Sequence, residues 1–420
     1  MKRYKAFDPP EYANWKLHPQ ALRAFRERLG ARAVARDVTA LPTTLLLRAY
    51  DGLLRARLYD ITLKRWVMQG VISKAWLGTG EEAVTVGSVL PLEDGDVVGP
   101  MIRNAGAAIL RGLPLAECFR VYLGTPDGHM RGRDLHVGDF ARGVYPPISM
   151  VGSFVPVLAG VAYAMKRAAT KGPTRVALTW VGDGASRTGE FHEGMSLAAT
   201  LGVPLVVVLQ NNAVALGTRT ETHLRGPLEA MAAAYGVPGF ECDGNNVIDT
   251  YLTARRAVGA CRAGKGPALV VATTFRMGSH ATHDEAEARR LFSKEVFERW
   301  GRRDPIGVYE EWLAAGERDL DAWVAEDGAI REEPAAATGG GGAARARVSA
   351  RVPAGSRATV SARAPAGAKP VARAARNRAA LARVEARATA AIESAADEAL
   401  ASRQKPFGAS EATDGVLGSP

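Results

Sequence analysis

The chain has 420 residues, 47% of them hydrophobic, with a formal net charge of +10, which suits one large α/β core plus appendages. Its three cysteines (Cys118, Cys242 and Cys261) lie far apart without metal-ligand spacing, which argues against a disulfide framework and fits a reducing cytoplasm. No stretch is long and apolar enough to span a membrane, and the N-terminus, MKRYKAFDPPEY, lacks the apolar run of a secretory signal.

Residues 1–41 read as an extension, with Pro9-Pro10, several aromatics and a basic amphipathic segment, Pro19 to Ala33, that packs on the core or on a partner. From Pro42 to Gln69 the pattern is helical: Leu45, Leu46, Tyr50, Leu53, Leu54 and Leu58 share an apolar face, with Arg48, Arg55 and Arg57 outside it. The stretch GTGEEAVTVGSVLPLEDGDVVGPMIRNAG follows. Leu113 to Leu123 predicts a helix. Next comes a glycine-rich, basic loop, Gly124 to Gly143, whose length and Gly, Asp, His and Arg content suit the mouth of an active site. It holds His129 and His136, for each of which a structural role outweighs substrate contact. Ile148-Ser149-Met-Val-Gly-Ser153 then enters a small-residue helix, Pro156 to Arg167.

Val176 to Val181 is a continuous apolar run, which suits a strand covered on both faces. Gly182 and Gly184 flank Asp183 and allow a tight turn with close ligand approach. Glu190 to Leu201 has helical spacing, Gly202-Val-Pro204 stops it, and Leu205 to Leu209 is a second buried strand ending in Gln210-Asn211-Asn212. Polar groups at the carboxyl ends of two parallel strands mark the place where open α/β sheets bind ligands. A helix starting just after Asp183 favours phosphate. The Asp183 carboxylate, the Asn212 amide oxygen and the Val214 carbonyl are hard oxygen donors suited to magnesium. The residues alone therefore predict an α/β fold, a parallel sheet flanked by helices on both faces, with a magnesium–diphosphate site at a switch point.

Further on, Glu229 to Tyr235 and Val247 to Ala263 read as helices and Gly266 to Thr273 as another buried strand. After that strand stands Thr274-Phe-Arg-Met-Gly-Ser-His280-Ala-Thr-His-Asp284-Glu, again a polar loop at a carboxyl end. His280 there is expected to titrate near neutrality, which suits hydrogen bonding or proton transfer. Asp304-Pro305 begins a helix reaching Trp312. Residues 331–377 are Ala, Gly, Pro and Arg with few large apolar side chains, so they are expected to be a disordered basic linker rather than a nucleic-acid site. Residues 378–405 resume helical patterning, with Leu381, Val384, Ala388, Ile392 and Leu400 near one face, and 406–420 read as a tail. The main domain is thus 42–330.

Gly182-Asp183-Gly184 followed about thirty residues later by Asn211-Asn212 is the thiamine diphosphate motif. The fuller text, GDGASRTGEFHEGMSLAATLGVPLVVVLQNN, resembles the alpha chain of the first component of 2-oxo acid dehydrogenase complexes. The resemblance runs from about Leu45 to Leu313 and returns in the C-terminal helix. It implies a thiamine diphosphate-binding fold using thiamine diphosphate and Mg2+. Asp183, Asn212 and the Val214 carbonyl would hold the metal, and Gly182, Gly184 and Ala185 would line the cofactor. Arg103 and His280 would meet the diphosphate, and the Ser149 side chain and Val151 backbone would line the thiazolium pocket. His280 and Ser149 are the residues implied in catalysis. Ile102 stands where the family usually has a tyrosine, and Ala281 where animal members carry a regulatory phosphoserine.

The implied reaction is decarboxylation of a 2-oxo acid with reductive acyl transfer to a lipoyl arm. Its implied partners are a beta chain, in a heterotetramer of two alpha and two beta chains, and the lipoyl domain of a dihydrolipoyl acyltransferase. The Gly-Glu-Glu stretch and the His280 loop look closer to branched-chain members (2-oxoisovalerate type), while Phe191-His192-Glu193-Gly194 is similar to pyruvate and acetoin members. Two alternatives from other classes are a non-catalytic, partner-binding relative and a nucleic-acid-binding protein led by the basic linker.

Overall fold

A computed structural model of the chain describes residues 17–168, 174–332, 370–404 and 408. Its strands are β1 (Val97–Gly99), β2 (Ala177–Gly182), β3 (Leu205–Asn211), the short pair β4 (Val214–Ala215) and β5 (Thr218–Arg219), β6 (Gly239–Asp243) and β7 (Ala268–Thr273). Five of them form one parallel sheet in the order β1-β2-β3-β7-β6, while β4 and β5 make an antiparallel hairpin. The α/β expectation holds, and the three apolar runs are the three central strands.

Strand side chains alternate between faces. Val176, Leu178, Trp180, Val206 and Val208 enter one core with the helices Thr43–Met68, Glu82–Val89 and Val247–Arg262. Ala177, Val181, Leu205, Val207 and Leu209 enter a second core against Phe154–Ala168 and Gly189–Leu201. Burial on both faces explains why these strands read as unbroken apolar runs. Local signals set the helix ends. The Thr188 hydroxyl accepts from Phe191 N at 3.3 Å to cap Gly189–Leu201, which stops at Gly202 in the left-handed region (φ 56°). The Asn246 side chain caps Val247–Arg262 by accepting from Ile248 N and Asp249 N.

The basic segment near the N-terminus folds as two helices, Pro19–Gly30 and Arg32–Thr39, and packs on this chain's own core. Phe25 sits 5.7 Å, ring to ring, from Trp312 of the helix Pro305–Ala315. The C-terminal helix is longer than the sequence pattern indicates: it begins at Pro370 and runs to Ala401, so 370–377 is helical rather than linker. Leu381, Val384, Ala388 and Ile392 are buried, as the apolar spacing predicts. The remainder of the expected linker, 333–369, lies outside the described residues, as do 1–16 and most of the tail.

One reading of the helix at 42–69 needs correction. Thr43–Met68 is buried nearly all round, and Arg57, placed outside the apolar face, is only 1% exposed. Its guanidinium pairs with Glu82 and, at 3.0 Å, with Asp304. A face that carries charge inside the core breaks the apolar/polar rule because its charges are matched there. The three cysteines are buried and unpaired. Among the described residues no helix is long and apolar enough to cross a membrane.

Candidate active site

Register places the site. Gly182 pairs with Gln210, and Asn211 with Thr273, so the turns after β2, β3 and β7 leave the sheet side by side at its carboxyl edge. Asp183 N donates to Gln210 O at 3.2 Å, and Arg276 N donates to Asn212 O at 3.4 Å. These bonds tie the three loops into one cluster.

Asp183 and Asn212 are both fully buried. The Asp183 carboxylate accepts from the Thr220 hydroxyl and lies 3.6 Å from Nε2 of His223, whose ring nitrogens have no hydrogen-bond partner among the described residues. Val214 N donates to Asn212 Oδ1 at 3.4 Å. Between them Ala213 takes a positive φ of 71°, as does Leu216 at 52°, so the hairpin that bears the Val214 carbonyl is held in strained backbone. Gly184 is required by close approach: a Cβ there would collide with Ala215 of the same hairpin.

A cavity of about 230 Å³ adjoins this cluster and is lined by Arg103, His136, Ser149, Val151, Ala185 and His280, with Ile102 in its wall. Arg103 reaches over β2, since a Cβ on Gly182 would lie 3.9 Å from Arg103 Nη2. The expected residues therefore converge. His129 does not join them. It lies between Glu117, with Nδ1 3.0 Å from Oε2, and Asp139, with Nε2 3.6 Å from Oδ2, and acts as a clamp of the glycine-rich loop. His136 faces the cavity while its Nδ1 contacts Asp134 Oδ1 at 2.7 Å.

The electrostatics favour an anion. Arg276 is buried, and Arg103, whose side chain is 9% exposed, lies close enough to disfavour the charge on Arg276. Burial, then Arg103, lowers the Arg276 guanidinium to about 10, which leaves it charged at neutral pH. The expectation that His280 titrates near neutrality is corrected: burial, followed by Arg103 and Arg276, pushes it down to about 4. It is a neutral imidazole at physiological pH, able to donate or accept one hydrogen bond.

Several participants were given no role from the sequence, although Glu81 lies in the Gly-Glu-Glu stretch. Glu81 is 1% exposed; its Oε1 accepts from Asn212 Nδ2 at 2.8 Å and Gln210 Nε2 at 3.0 Å, and its Oε2 faces Arg103 Nε at 3.5 Å. Thr220 and His223 were equally hidden. The available hint was a polar residue, Gln210, at the end of a buried strand, and two adjacent acids between glycines and an apolar run.

A diphosphate and a magnesium ion fit this donor set. Arg103 Nε is buried without a hydrogen-bond partner among the described residues, beside the buried Arg276 and a neutral histidine. Among the described residues no group of three or more His, Cys, Asp or Glu side chains forms a metal cage. A carboxylate, an amide oxygen and a backbone carbonyl leave coordination positions that a phosphate-bearing ligand completes, which is the habit of Mg2+.

A parallel sheet flanked by helices is the fold of the thiamine diphosphate-dependent 2-oxo acid dehydrogenase alpha subunits. The family described as "Dehydrogenase E1 component" matches residues 52–320, well over half of the chain, and the chain belongs to that family. It is 30% identical over 274 residues to "Pyruvate dehydrogenase E1 component subunit alpha" of Acholeplasma laidlawii, covering 65% of this chain and 76% of that protein. It is 28% identical over 294 residues to "2-oxoisovalerate dehydrogenase subunit alpha 1, mitochondrial" of Arabidopsis thaliana, covering 69% and 61%. A Staphylococcus aureus pyruvate dehydrogenase alpha subunit is 33% identical over 235 residues, covering 56% of this chain and 60% of the relative.

Proposed function

We propose that this chain holds the magnesium–diphosphate end of thiamine diphosphate and works as the alpha subunit of a decarboxylating 2-oxo acid dehydrogenase. The observation that carries the reading is the convergence of Arg103, Ser149, Val151, Ala185 and His280 on one cavity beside buried Asp183 and Asn212. Asp183, Asn212 and the Val214 carbonyl would hold Mg2+. Arg103 would fork onto the diphosphate, a task suited to a planar cation with fixed donors. His280 would give the diphosphate a hydrogen bond. Ser149 and the Val151 backbone would line the thiazolium. When bound, the cofactor supplies the electron sink for decarboxylation.

The partner is a beta chain, in a heterotetramer of two alpha and two beta chains, and the acyl acceptor is the lipoyl domain of a dihydrolipoyl acyltransferase. Surface chemistry supports a covering subunit: Met150 is 65% and Val151 58% exposed at the cavity rim, and Val157, Tyr163 and Leu197 are exposed on the neighbouring helices. Apolar surface of this kind beside a site marks an interface.

For substrate we infer a branched-chain 2-oxo acid of the 2-oxoisovalerate type. The apolar character of Met101, Leu135, Ile148 and Phe154 in the cavity wall supports it. Pyruvate is the second reading, supported by the likeness to pyruvate dehydrogenase alpha subunits. The test is carbon dioxide release by this chain co-expressed with a beta chain. Higher kcat/KM with 2-oxoisovalerate than with pyruvate is expected; the reverse order assigns pyruvate, and no turnover of either contradicts the enzyme reading.

A further inference from the structure

We propose that Glu81 is a positioning residue: its one buried carboxylate fixes which end of Asn212 faces the metal and aims Arg103 at the diphosphate. This rests on the site reading above. The Asn212 carboxamide has two ends of nearly equal shape, and only Oδ1 can ligate a cation. A carboxylate accepts and never donates, so the 2.8 Å bond from Asn212 Nδ2 to Glu81 Oε1 leaves Oδ1 turned away from Glu81. Gln210 is set the same way by its 3.0 Å bond to the same oxygen. The other oxygen faces Arg103 Nε at 3.5 Å, and neither of these two atoms has a hydrogen-bond partner among the described residues. Arg103 is thus oriented by charge while its fork stays available.

Glu81 is itself rigidly placed. The adjacent Glu82 turns the opposite way, accepting from Gly80 N at 2.9 Å and pairing with Arg57, which also binds Asp304. Gly80 has φ of +94°, and a Cβ there would come within 2.6 Å of Phe275 O, so the turn is pressed onto the loop that leads to His280. Met277 N closes the contact by donating to Thr79 O at 3.1 Å. The two glutamates therefore divide the work: Glu82 anchors the turn to the core, and Glu81 organises the site.

The test exploits the equal shapes of glutamate and glutamine. In E81Q the ends of both glutamines are interchangeable, so Asn212 loses its fixed direction and the cluster loses one charge. In the exchanged pair E81Q/Q210E, the carboxylate at 210 accepts from the amide nitrogen at 81, which takes the contact point that residues 210 and 212 share, so Asn212 turns its oxygen toward residue 81 and its nitrogen toward the metal, with net charge restored. Mn2+ binding is followed by loss of the free-ion EPR signal in the full chain co-expressed with its beta chain, at saturating thiamine diphosphate. Thermal melting is recorded in parallel. Loss of roughly tenfold or more in Mn2+ affinity is expected for E81Q, the range for partners that orient metal ligands, with no recovery in the exchanged pair although its charge is restored. Unchanged affinity in E81Q overturns the proposal, as does recovery to wild type in the exchanged pair, because that outcome marks an effect of charge only. Should E81Q fail to fold, the exchanged pair decides alone: weak binding with an unchanged melt supports the role and wild-type binding overturns it. Absence of Asp183-dependent Mn2+ binding in the wild type is a separate result that sinks the site reading and this inference together.

Discussion

His280 carries the clearest residue-scale signature. Its ordinary value of 6.5 falls to about 4 because burial, Arg103 and Arg276 all oppose a further positive charge. Between those values the unfolded chain binds a proton that the folded chain does not. The cofactor-free protein therefore loses stability as pH falls from about 6.5 toward 4, and H280N removes that part of the loss. NMR titration of the seven histidines, with H280N as the assignment control, should show one imidazole still neutral at pH 5.5, where a free histidine is mostly protonated. A midpoint near 6.5 for His280 would contradict the account. Arg103 offers a second check. Lysine keeps the charge and loses the fork, so R103K should weaken diphosphate binding roughly 10- to 100-fold by calorimetry, with the melting temperature little changed.

At the scale of elements, what was legible depended on burial. Strands β2, β3 and β7 are covered on both faces and stood out as apolar runs, each ending in polar groups. Strand β1 has three residues, and β6 reads Gly-Phe-Glu-Cys-Asp at the sheet edge, so neither had a pattern to detect. The chemistry-bearing ends, Asp183, Asn212 and His280, were legible because they follow recognisable strands. Glu81, Thr220 and His223 were not, because they reach the site from turns and a short helix whose spacing repeats no period. Gly184 ties the β4–β5 hairpin to the turn after β2. G184A should push that hairpin away, weaken metal-dependent cofactor binding and leave the fold intact by circular dichroism. Pairing it with A215G should restore binding, and failure of that rescue would mean that the clash is not the cause. The C-terminal helix Pro370–Ala401 is a full member of the core through Leu381, fully buried. L381A should cost about 2–5 kcal/mol in denaturant unfolding, and a loss below 1 kcal/mol would show that the helix is dispensable.

Across the whole molecule, charges deep in the core are what the sequence pattern concealed. Arg57 sits between Glu82 and Asp304, and burial raises the Glu82 carboxyl while Arg57 draws it back down. That triad joins the long helix Thr43–Met68, the turn bearing Glu81 and the helix Pro305–Ala315 into one frame for the site. Its placement inside an otherwise apolar helix could not be told from a solvated face by spacing alone, because only the matching acids, 25 and 247 residues away, reveal it. On that frame rests the central claim, a magnesium–diphosphate site formed by Asp183, Asn212 and Arg103. Calorimetric titration of thiamine diphosphate with Mg2+ into the chain co-expressed with a beta chain, set against D183A, tests it most directly. Saturable binding that requires Mg2+ and disappears in D183A is the predicted result. A folded assembly that binds nothing, or that binds equally well in D183A, would contradict it.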